Sequence, residues 1–135
     1  MVSGRHGDFG HWNIMINSEG VTIFDFLGYT LEPTPYDPIK ILISLESWKK
    51  HPAYSKKRID ELRASFLDGY GNLFAVPVVV AKICEIYHRV ALIYACIINP
   101  GNRFDLRIKT SRTLEDNLRR LNHISNGEII WPNVK

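Results

Sequence analysis

Residues 6–26 read HGDFGHWNIMINSEGVTIFDF, a polar loop followed by two short apolar runs. The runs, at residues 14–16 and 21–24, are rich in β-branched side chains, and residues 17–20 between them are typical of a turn. Gly20 can adopt the positive φ angle that such a turn often requires. The stretch therefore predicts a β-hairpin with a four-residue loop, placed directly after a polar loop.

The chain beyond the hairpin is predicted to be irregular at first and then helical. Residues 28–38 contain three prolines, which forbid a continuous helix. Asp37 and Pro38 suit the N-cap and the first position of a helix. The four residues that start at Thr113 resemble a capping box. Four helices are expected: from Asp37 to about residue 51, from after Ser55 to Gly69, from near Pro77 to about Ile98, and from near Thr113 to about residue 125.

The composition fits a single soluble globular domain over residues 1–135. Hydrophobic residues make up 45% of the chain, charged residues 23%, and the net charge is +3. The basic residues come without an aromatic platform or a reader motif, so no nucleic-acid partner is expected. The apolar stretch at residues 73–98 is long enough to cross a membrane, but charged residues interrupt it. We therefore expect a buried, central helix and no membrane partner.

The cysteines and the N-terminus favour a cytoplasmic location. Cys84 and Cys96 are twelve residues apart on one predicted helix. That spacing corresponds to a rise of about 18 Å, which a disulfide cannot span. No secretory signal is recognisable after Met1, so two free thiols in a reducing compartment are expected.

Three polar side chains surround the hairpin. Asp8 and Asn13 are five residues apart on the loop before it, and Asp25 follows the returning strand. Transfer of a phosphoryl group from ATP needs a carboxylate that orients and deprotonates a hydroxyl, together with oxygen ligands for Mg²⁺. Each of the three residues alone fits a turn or a cap, but the joint pattern indicates phosphoryl transfer.

Residues 6–14 and 23–26 resemble the catalytic loop and the metal-binding segment of the aminoglycoside phosphotransferase and choline kinase-like family. Residues 35–37 are similar to that family's aspartate at the start of the next helix, and residues 66–71 look like a further family element. The resemblance covers residues 4–71, and its first third is the specific part.

The fold that the resemblance implies is a protein-kinase-like C-terminal lobe of an α+β family, mainly α with a small β-hairpin. Residues 1–30 would form the catalytic loop and the metal-binding hairpin, and residues 36–126 would form a helical subdomain.

The resemblance also implies roles for individual residues. Asp8 would be the catalytic base that faces the substrate hydroxyl. Asn13 and Asp25 would be ligands of Mg²⁺ and, through the metal, of ATP. His6 would support the loop through hydrogen bonds. Asp37 would accept hydrogen bonds from the backbone of the loop, and a role as N-cap of the next helix is equally open.

The parts of a kinase that hold the nucleotide are not recognisable. No glycine-rich flap, phosphate-binding lysine or glutamate partner precedes the motif, and no Gly-x-Gly-x-x-Gly pattern follows it. The N-terminal lobe is therefore expected to be absent. The chain is then a truncated or half enzyme, inactive alone, that needs a partner chain to supply the nucleotide lobe. Two alternatives are a non-catalytic binding or interaction domain descended from such a kinase and a helical scaffold in which the motif residues are caps and turns.

The substrate is expected to be a small polar metabolite with a hydroxyl group. A polycationic aminoglycoside would favour an acidic cleft, whereas the chain has 17 basic and 14 acidic residues. Glu85, Glu115 and Asp116 could still supply local negative charge, and sugars, amino alcohols and choline-like compounds stay open. His11 and Trp12 match nothing specific, and they are expected to pack in the loop or to contact the substrate.

Overall fold

The computed structural model of the chain describes residues 2–26, 30–33, 35–70, 77–101, 104–124 and 130. These residues are mainly helical and include two small antiparallel sheets, which confirms the coarse fold class predicted from the sequence. The strands are β1 (Val2–Arg5), β2 (Ile14–Asn17), β3 (Gly20–Ile23) and β4 (Thr30–Pro33). The helices are α1 (Tyr36–Trp48), α2 (Lys56–Tyr70), α3 (Val78–Ile98) and α4 (Phe104–Ile124).

The predicted hairpin is formed by β2 and β3, with a turn that is shorter than expected. Ile14 pairs with Ile23 and Asn17 pairs with Gly20, so only two residues form the turn. The side-chain oxygen of Asn17 accepts hydrogen bonds from the backbone N–H groups of Glu19 and Gly20, at 2.9 and 3.1 Å. Gly20 has the positive φ angle, 138°, that the sequence indicated. The Asn17 side chain completes the turn, and this allows the strands to continue further than their apolar runs.

The second sheet pairs β1 with β4, and no pattern in the sequence predicted it. The prediction that residues 28–38 are irregular was wrong for residues 30–33. Prolines forbid a helix there, but they are compatible with a short strand at the edge of a sheet. Arg5 pairs with Thr30 and Val2 pairs with Pro33. The polar loop and the hairpin therefore leave from one small sheet and return to it, so their two ends are held together.

Helices α1, α2 and α3 lie close to their predicted positions, but the start of α1 differs. The helix begins at Tyr36, and Pro35 occupies the N-cap position without a side-chain hydrogen bond. Asp37 is therefore inside the first turn, where it is not the N-cap. Its carboxylate instead accepts a hydrogen bond from the backbone N–H of His6.

The start of α4 was predicted wrongly. The helix begins at Phe104, and Thr113 lies inside it, only 1% exposed. The hydroxyl oxygen of Thr113 is 3.2 Å from that of Ser47 on α1. The capping-box pattern is also compatible with a helix interior, because the Thr113 hydroxyl hydrogen-bonds to Ser47 of another helix and so does not compete with the backbone hydrogen bonds of α4.

The described helices pack through an apolar cluster and a polar one. The apolar cluster joins α1 to α3 through Ile39, Leu42, Ile43, Ala81 and Cys84, together with Ile130. Both cysteines are thiols and not halves of a disulfide; Cys84 is buried and Cys96 is partly exposed. No described helix is long and apolar enough to cross a membrane.

The polar cluster is centred on Glu85 and Arg89 of α3, which are 0% and 1% exposed. The Arg89 guanidinium donates to Glu85 at 2.8 Å, to Glu46 of α1 at 2.9 Å and to Asn117 of α4 at 2.8 Å. Glu85 also accepts from Arg120, at 3.1 Å. The suggestion that Glu85 makes a cleft acidic was therefore wrong, because its charge is buried and paired with two arginines.

Helix α3 is only partly the central helix that was predicted. Its polar side is buried, while its opposite side exposes large apolar residues among the described part of the chain. Those more than half exposed are Val79, Ile83, Tyr87, Tyr94, Ile97 and Ile98.

Candidate functional site

His6 is the first residue of the loop after β1, and it is 5% exposed. Its backbone N–H donates to the Oδ2 atom of Asp37 at 2.6 Å, and its ring Nε2 is 2.7 Å from the carbonyl oxygen of Phe24. The backbone N–H of Asp8 donates to its Nδ1 at 3.3 Å. A neutral ring with its hydrogen on Nε2 satisfies both ring contacts. The hydrogen bond expected between Asp37 and the loop backbone is therefore present.

Three side chains donate hydrogen bonds to the carboxylate of Asp8, although its side chain is 52% exposed. Its Oδ1 atom accepts from the Lys40 ammonium at 2.5 Å. Its Oδ2 atom accepts from the indole N–H of Trp12 at 3.0 Å and from the Asn13 amide at 3.3 Å. Partial burial acts to raise the pKa of Asp8, but the hydrogen bond and charge of Lys40 and the other two hydrogen bonds outweigh it and lower that pKa.

Asn13 is fixed by its backbone and by its side chain. It is 4% exposed, and it ends a single 3₁₀ turn that starts at His11. Its side-chain amide nitrogen donates to the backbone carbonyl oxygen of Asp8 at 2.9 Å. Its backbone carbonyl oxygen accepts from the backbone N–H of Phe24 at 3.1 Å. The side-chain Oδ1 atom accepts no hydrogen bond from the described residues. The amide oxygen is therefore the atom of Asn13 that a cation could use.

Asp25 has an unusual backbone conformation. Its φ angle is 65°, the one positive φ of a non-glycine residue in the described part of the chain. This conformation costs most L-residues about 1–2 kcal/mol, and aspartate tolerates it better than most because its short side chain can bond locally. The neighbours on both sides hold it, since the Phe24 carbonyl contacts the His6 ring and the Phe26 ring centroid is 4.3 Å from that of His6. Its carboxylate has no hydrogen-bond partner among the described residues. Strain that the surroundings enforce is typical of functional sites.

The five predicted site residues therefore form one connected arrangement. Asp8 contacts Asn13 directly, Asn13 contacts the residue before Asp25, and His6 links this group to Asp37. The described residues contain no group of three or more His, Cys, Asp or Glu side chains that could hold a metal ion. One amide and one carboxylate suit Mg²⁺ only where phosphate oxygens and water complete its coordination.

The sequence did not reveal Lys40, the ion-pair partner of Asp8. It lies on α1, and its ammonium is also 5.6 Å from the ring centroid of Trp12. The available signal was its position three residues after Asp37. Residues with this spacing share a face of a helix, and Asp37 was already expected to face the loop.

His11 and Trp12 connect the loop to the helices. His11 Nδ1 accepts a hydrogen bond from the indole N–H of Trp48 on α1 at 3.1 Å. Burial, together with the nearby charge of Lys109, lowers the pKa of His11. The Trp12 ring packs on Gly10, where an added Cβ would lie 2.4 Å from the ring. The packing expected of these two residues is therefore present, and their contact with a substrate stays a prediction.

No family model, curated protein or solved structure matches the chain. The resemblance to the phosphotransferase family therefore depends on the residues of the loop and the hairpin.

Proposed function

We propose that the chain carries the catalytic loop of a phosphotransferase that moves a phosphoryl group from Mg²⁺-ATP to a hydroxyl of a small molecule. One observation carries the proposal. The carboxylate of Asp8 contacts Asn13, and the strand that returns from Asn13 leads to a strained aspartate, Asp25, whose carboxylate has no partner among the described residues. Asp tolerates a positive φ angle better than most residues, so the unpaired carboxylate, and not the backbone angle alone, indicates a cation site.

Asp8 would receive the substrate hydroxyl. Its pKa is lowered, so it is a carboxylate at neutral pH and a weak proton acceptor. It would therefore act mainly by orienting the hydroxyl, and it would take the proton as the bond to phosphorus forms. Lys40 would hold the carboxylate in place.

Asn13 and Asp25 would hold Mg²⁺ through Oδ1 and a carboxylate oxygen. When bound, the metal neutralises charge on the phosphate oxygens. His6 would keep both residues in position, since it holds the segment that carries Asp25. The glycine-rich flap and the lysine that bind a nucleotide in kinases would come from a further segment or from a partner chain.

The metal site can be tested with Mn²⁺ in place of Mg²⁺. Binding of Mn²⁺ in the presence of millimolar ATP would be followed by electron paramagnetic resonance for the chain, for Asp25→Asn and for Asp60→Asn. Asp60 is an exposed aspartate on α2 that pairs with Lys49 at 2.6 Å, so its variant is a matched control. We expect weak binding in the chain and the control, and loss of binding in Asp25→Asn. Equal binding in all three proteins would contradict the proposed site, as would the absence of binding at millimolar concentrations.

A second candidate is a non-catalytic binding domain, and one observation favours it. Both oxygens of Asp8 already accept hydrogen bonds from Lys40, Trp12 and Asn13. A hydroxyl would have to share or displace one of these donors. In this second case Mn²⁺ binding would not depend on Asp25.

A further inference from the structure

A cavity of about 320 Å³ lies beside the candidate site. Its walls come from the loop and from three helices, so it is a feature of the fold and is not confined to a single turn. The residues used below are Trp12 of the loop, Lys40 and Trp48 of α1, Leu92 and Ala95 of α3, and Lys109 of α4. This volume is at the lower end of the range for small-molecule sites.

The cavity adjoins Asp8. Two of its wall residues, Trp12 and Lys40, are the residues that donate hydrogen bonds to the Asp8 carboxylate, at 3.0 and 2.5 Å. A molecule in the cavity could therefore place a hydroxyl group next to this carboxylate. We therefore expect the body of the substrate to lie in this cavity.

The charges around the cavity are of one sign. Its described lining contains two lysines and neither Asp nor Glu. Lys40 is neutralised by Asp8, which lies outside the lining. Lys109 faces an aromatic ring, since its ammonium is 3.8 Å from the ring centroid of Trp48, and it forms no ion pair with a described carboxylate.

Lys109 is a cation whose environment does not compensate for burial. Burial lowers the pKa of Lys109, while the neighbouring Cys96 thiol acts in the opposite direction. The charged form therefore lost hydration, and the Trp48 ring offers it a cation–π contact and no hydrogen-bond acceptor. An anionic group beside Lys109 would recover this free energy through a charge-assisted hydrogen bond.

The remaining lining is mostly apolar. Leu92 and Ala95 of α3 line it together with the indole rings of Trp12 and Trp48. This surface suits a hydrocarbon or aromatic body. The polar side chains of the lining are already hydrogen-bonded within the fold, namely His11 with Ser44, Ser47 with Thr113 and His88 with the Tyr36 carbonyl. Few partners therefore remain for the many hydroxyl groups of a sugar.

We propose that the cavity binds the hydroxyl substrate, and that this substrate is a small hydroxy acid with an apolar body, its carboxylate on Lys109 and its hydroxyl toward Asp8. The assignment of the hydroxyl rests on the proposed phosphoryl transfer; the assignment of the carboxylate rests on Lys109 alone. It disfavours the amino alcohol and choline-like substrates that the sequence left open, as well as polycationic aminoglycosides, because each of these carries positive charge.

The test is a binding measurement with three molecules that share one skeleton. They are 3-phenyllactate, its neutral methyl ester and the cationic amino alcohol phenylalaninol. Tryptophan fluorescence reports on the cavity, because Trp12 and Trp48 line it, and calorimetry checks each dissociation constant. We expect 3-phenyllactate to bind at least about tenfold more tightly than the other two, as a hydrogen bond to a charged group allows. Mandelate and 2-hydroxyisocaproate cover other body shapes.

Three variants identify the cation. Lys109→Gln is expected to remove the preference for the acid, and Lys109→Arg is expected to retain it. Lys57→Gln removes an exposed lysine of α2 and should leave all affinities unchanged. Circular dichroism establishes that each variant is folded. The proposal is wrong if none of the three acids (3-phenyllactate, mandelate and 2-hydroxyisocaproate) binds. It is also wrong if the ester or the amino alcohol binds as tightly as 3-phenyllactate, or if Lys109→Gln binds 3-phenyllactate as tightly as the wild type does.

This experiment and the Mn²⁺ experiment fail separately. The fluorescence titration contains neither metal nor nucleotide. Acid binding that depends on Lys109, without a metal site at Asp25, would leave the cavity assigned and remove the phosphoryl chemistry. The reverse result would leave the chemistry in place and remove the hydroxy acid.

Discussion

The largest contribution to the lowered pKa of Asp8 comes from a residue that is distant in sequence. Lys40 supplies both the shortest hydrogen bond and the nearest positive charge to this carboxylate. A carboxyl group whose folded-state pKa is lowered contributes stability above its unfolded pKa, and that stability is lost as the pH falls through the folded pKa. The Asp8–Lys40 pair should therefore begin to weaken as the pH falls below 3.8, the ordinary pKa of an aspartate.

Replacement of Lys40 tests this dependence. In Lys40→Gln the pKa of Asp8 is expected to rise, because the charge and the strongest hydrogen bond are removed while the burial that raises the pKa is retained. A ¹³C NMR titration of the Asp8 carboxyl carbon measures the change. Lys57→Gln is the control and should leave the titration as it is in the wild type. An unchanged curve in Lys40→Gln would show that the ion pair does not govern Asp8.

The backbone strain at Asp25 can be measured as stability. Glycine has no Cβ and accepts a φ of 65° without a steric penalty. We expect Asp25→Gly to be more stable than Asp25→Ala by about 1 kcal/mol, as determined by urea unfolding. Both variants should lose the Mn²⁺ site equally. If the two unfolding free energies coincide, the positive φ angle does not store strain.

At the scale of the elements, the start of α4 has a direct test. If the helix began at Thr113, residue 114 would occupy the first helical position, where proline is well tolerated. In the structure Leu114 lies inside a helix that begins at Phe104. Leu114→Pro is therefore expected to cost about 3 kcal/mol or more, measured by urea unfolding against Leu114→Ala. A loss similar to that of the alanine variant would favour the later start.

The elements show which signals in the sequence were local. Apolar spacing and turn residues located the hairpin and three helices, because each depends on neighbours along the chain. Strand β4 was missed, since its partner β1 is about 28 residues away in sequence, and since Pro33 at its end and the nearby Pro35 favoured an irregular segment. The contact between Asp8 and Asn13 followed from their short spacing, whereas Lys40, 32 residues from Asp8, required the fold. Likewise, the capping pattern at Thr113 could not reveal its partner Ser47.

At the scale of the whole molecule, the cluster around Arg89 joins α1, α3 and α4. Removal of one member of a buried ion pair leaves the other charge unpaired, which commonly costs about 3–5 kcal/mol. We expect Arg89→Met to lose this amount and the double variant Glu85→Gln/Arg89→Met to recover part of it. Urea unfolding of the single and double variants measures both. A double variant less stable than Arg89→Met would show that Glu85 is satisfied without Arg89.

The pairing of β1 with β4 and the hydrogen bond from His6 to Asp37 give the candidate site its own spectroscopic marker. The His6 amide proton is buried and is held at a donor–acceptor distance of 2.6 Å by a carboxylate 31 residues away. It can exchange with solvent only when the loop opens from the first turn of α1, so its exchange rate measures the free energy of that opening. A ligand that engages Asp8 or Asp25 should slow the exchange of this proton more than that of amides in α2. One NMR resonance can therefore report whether the site is assembled, without any knowledge of the reaction.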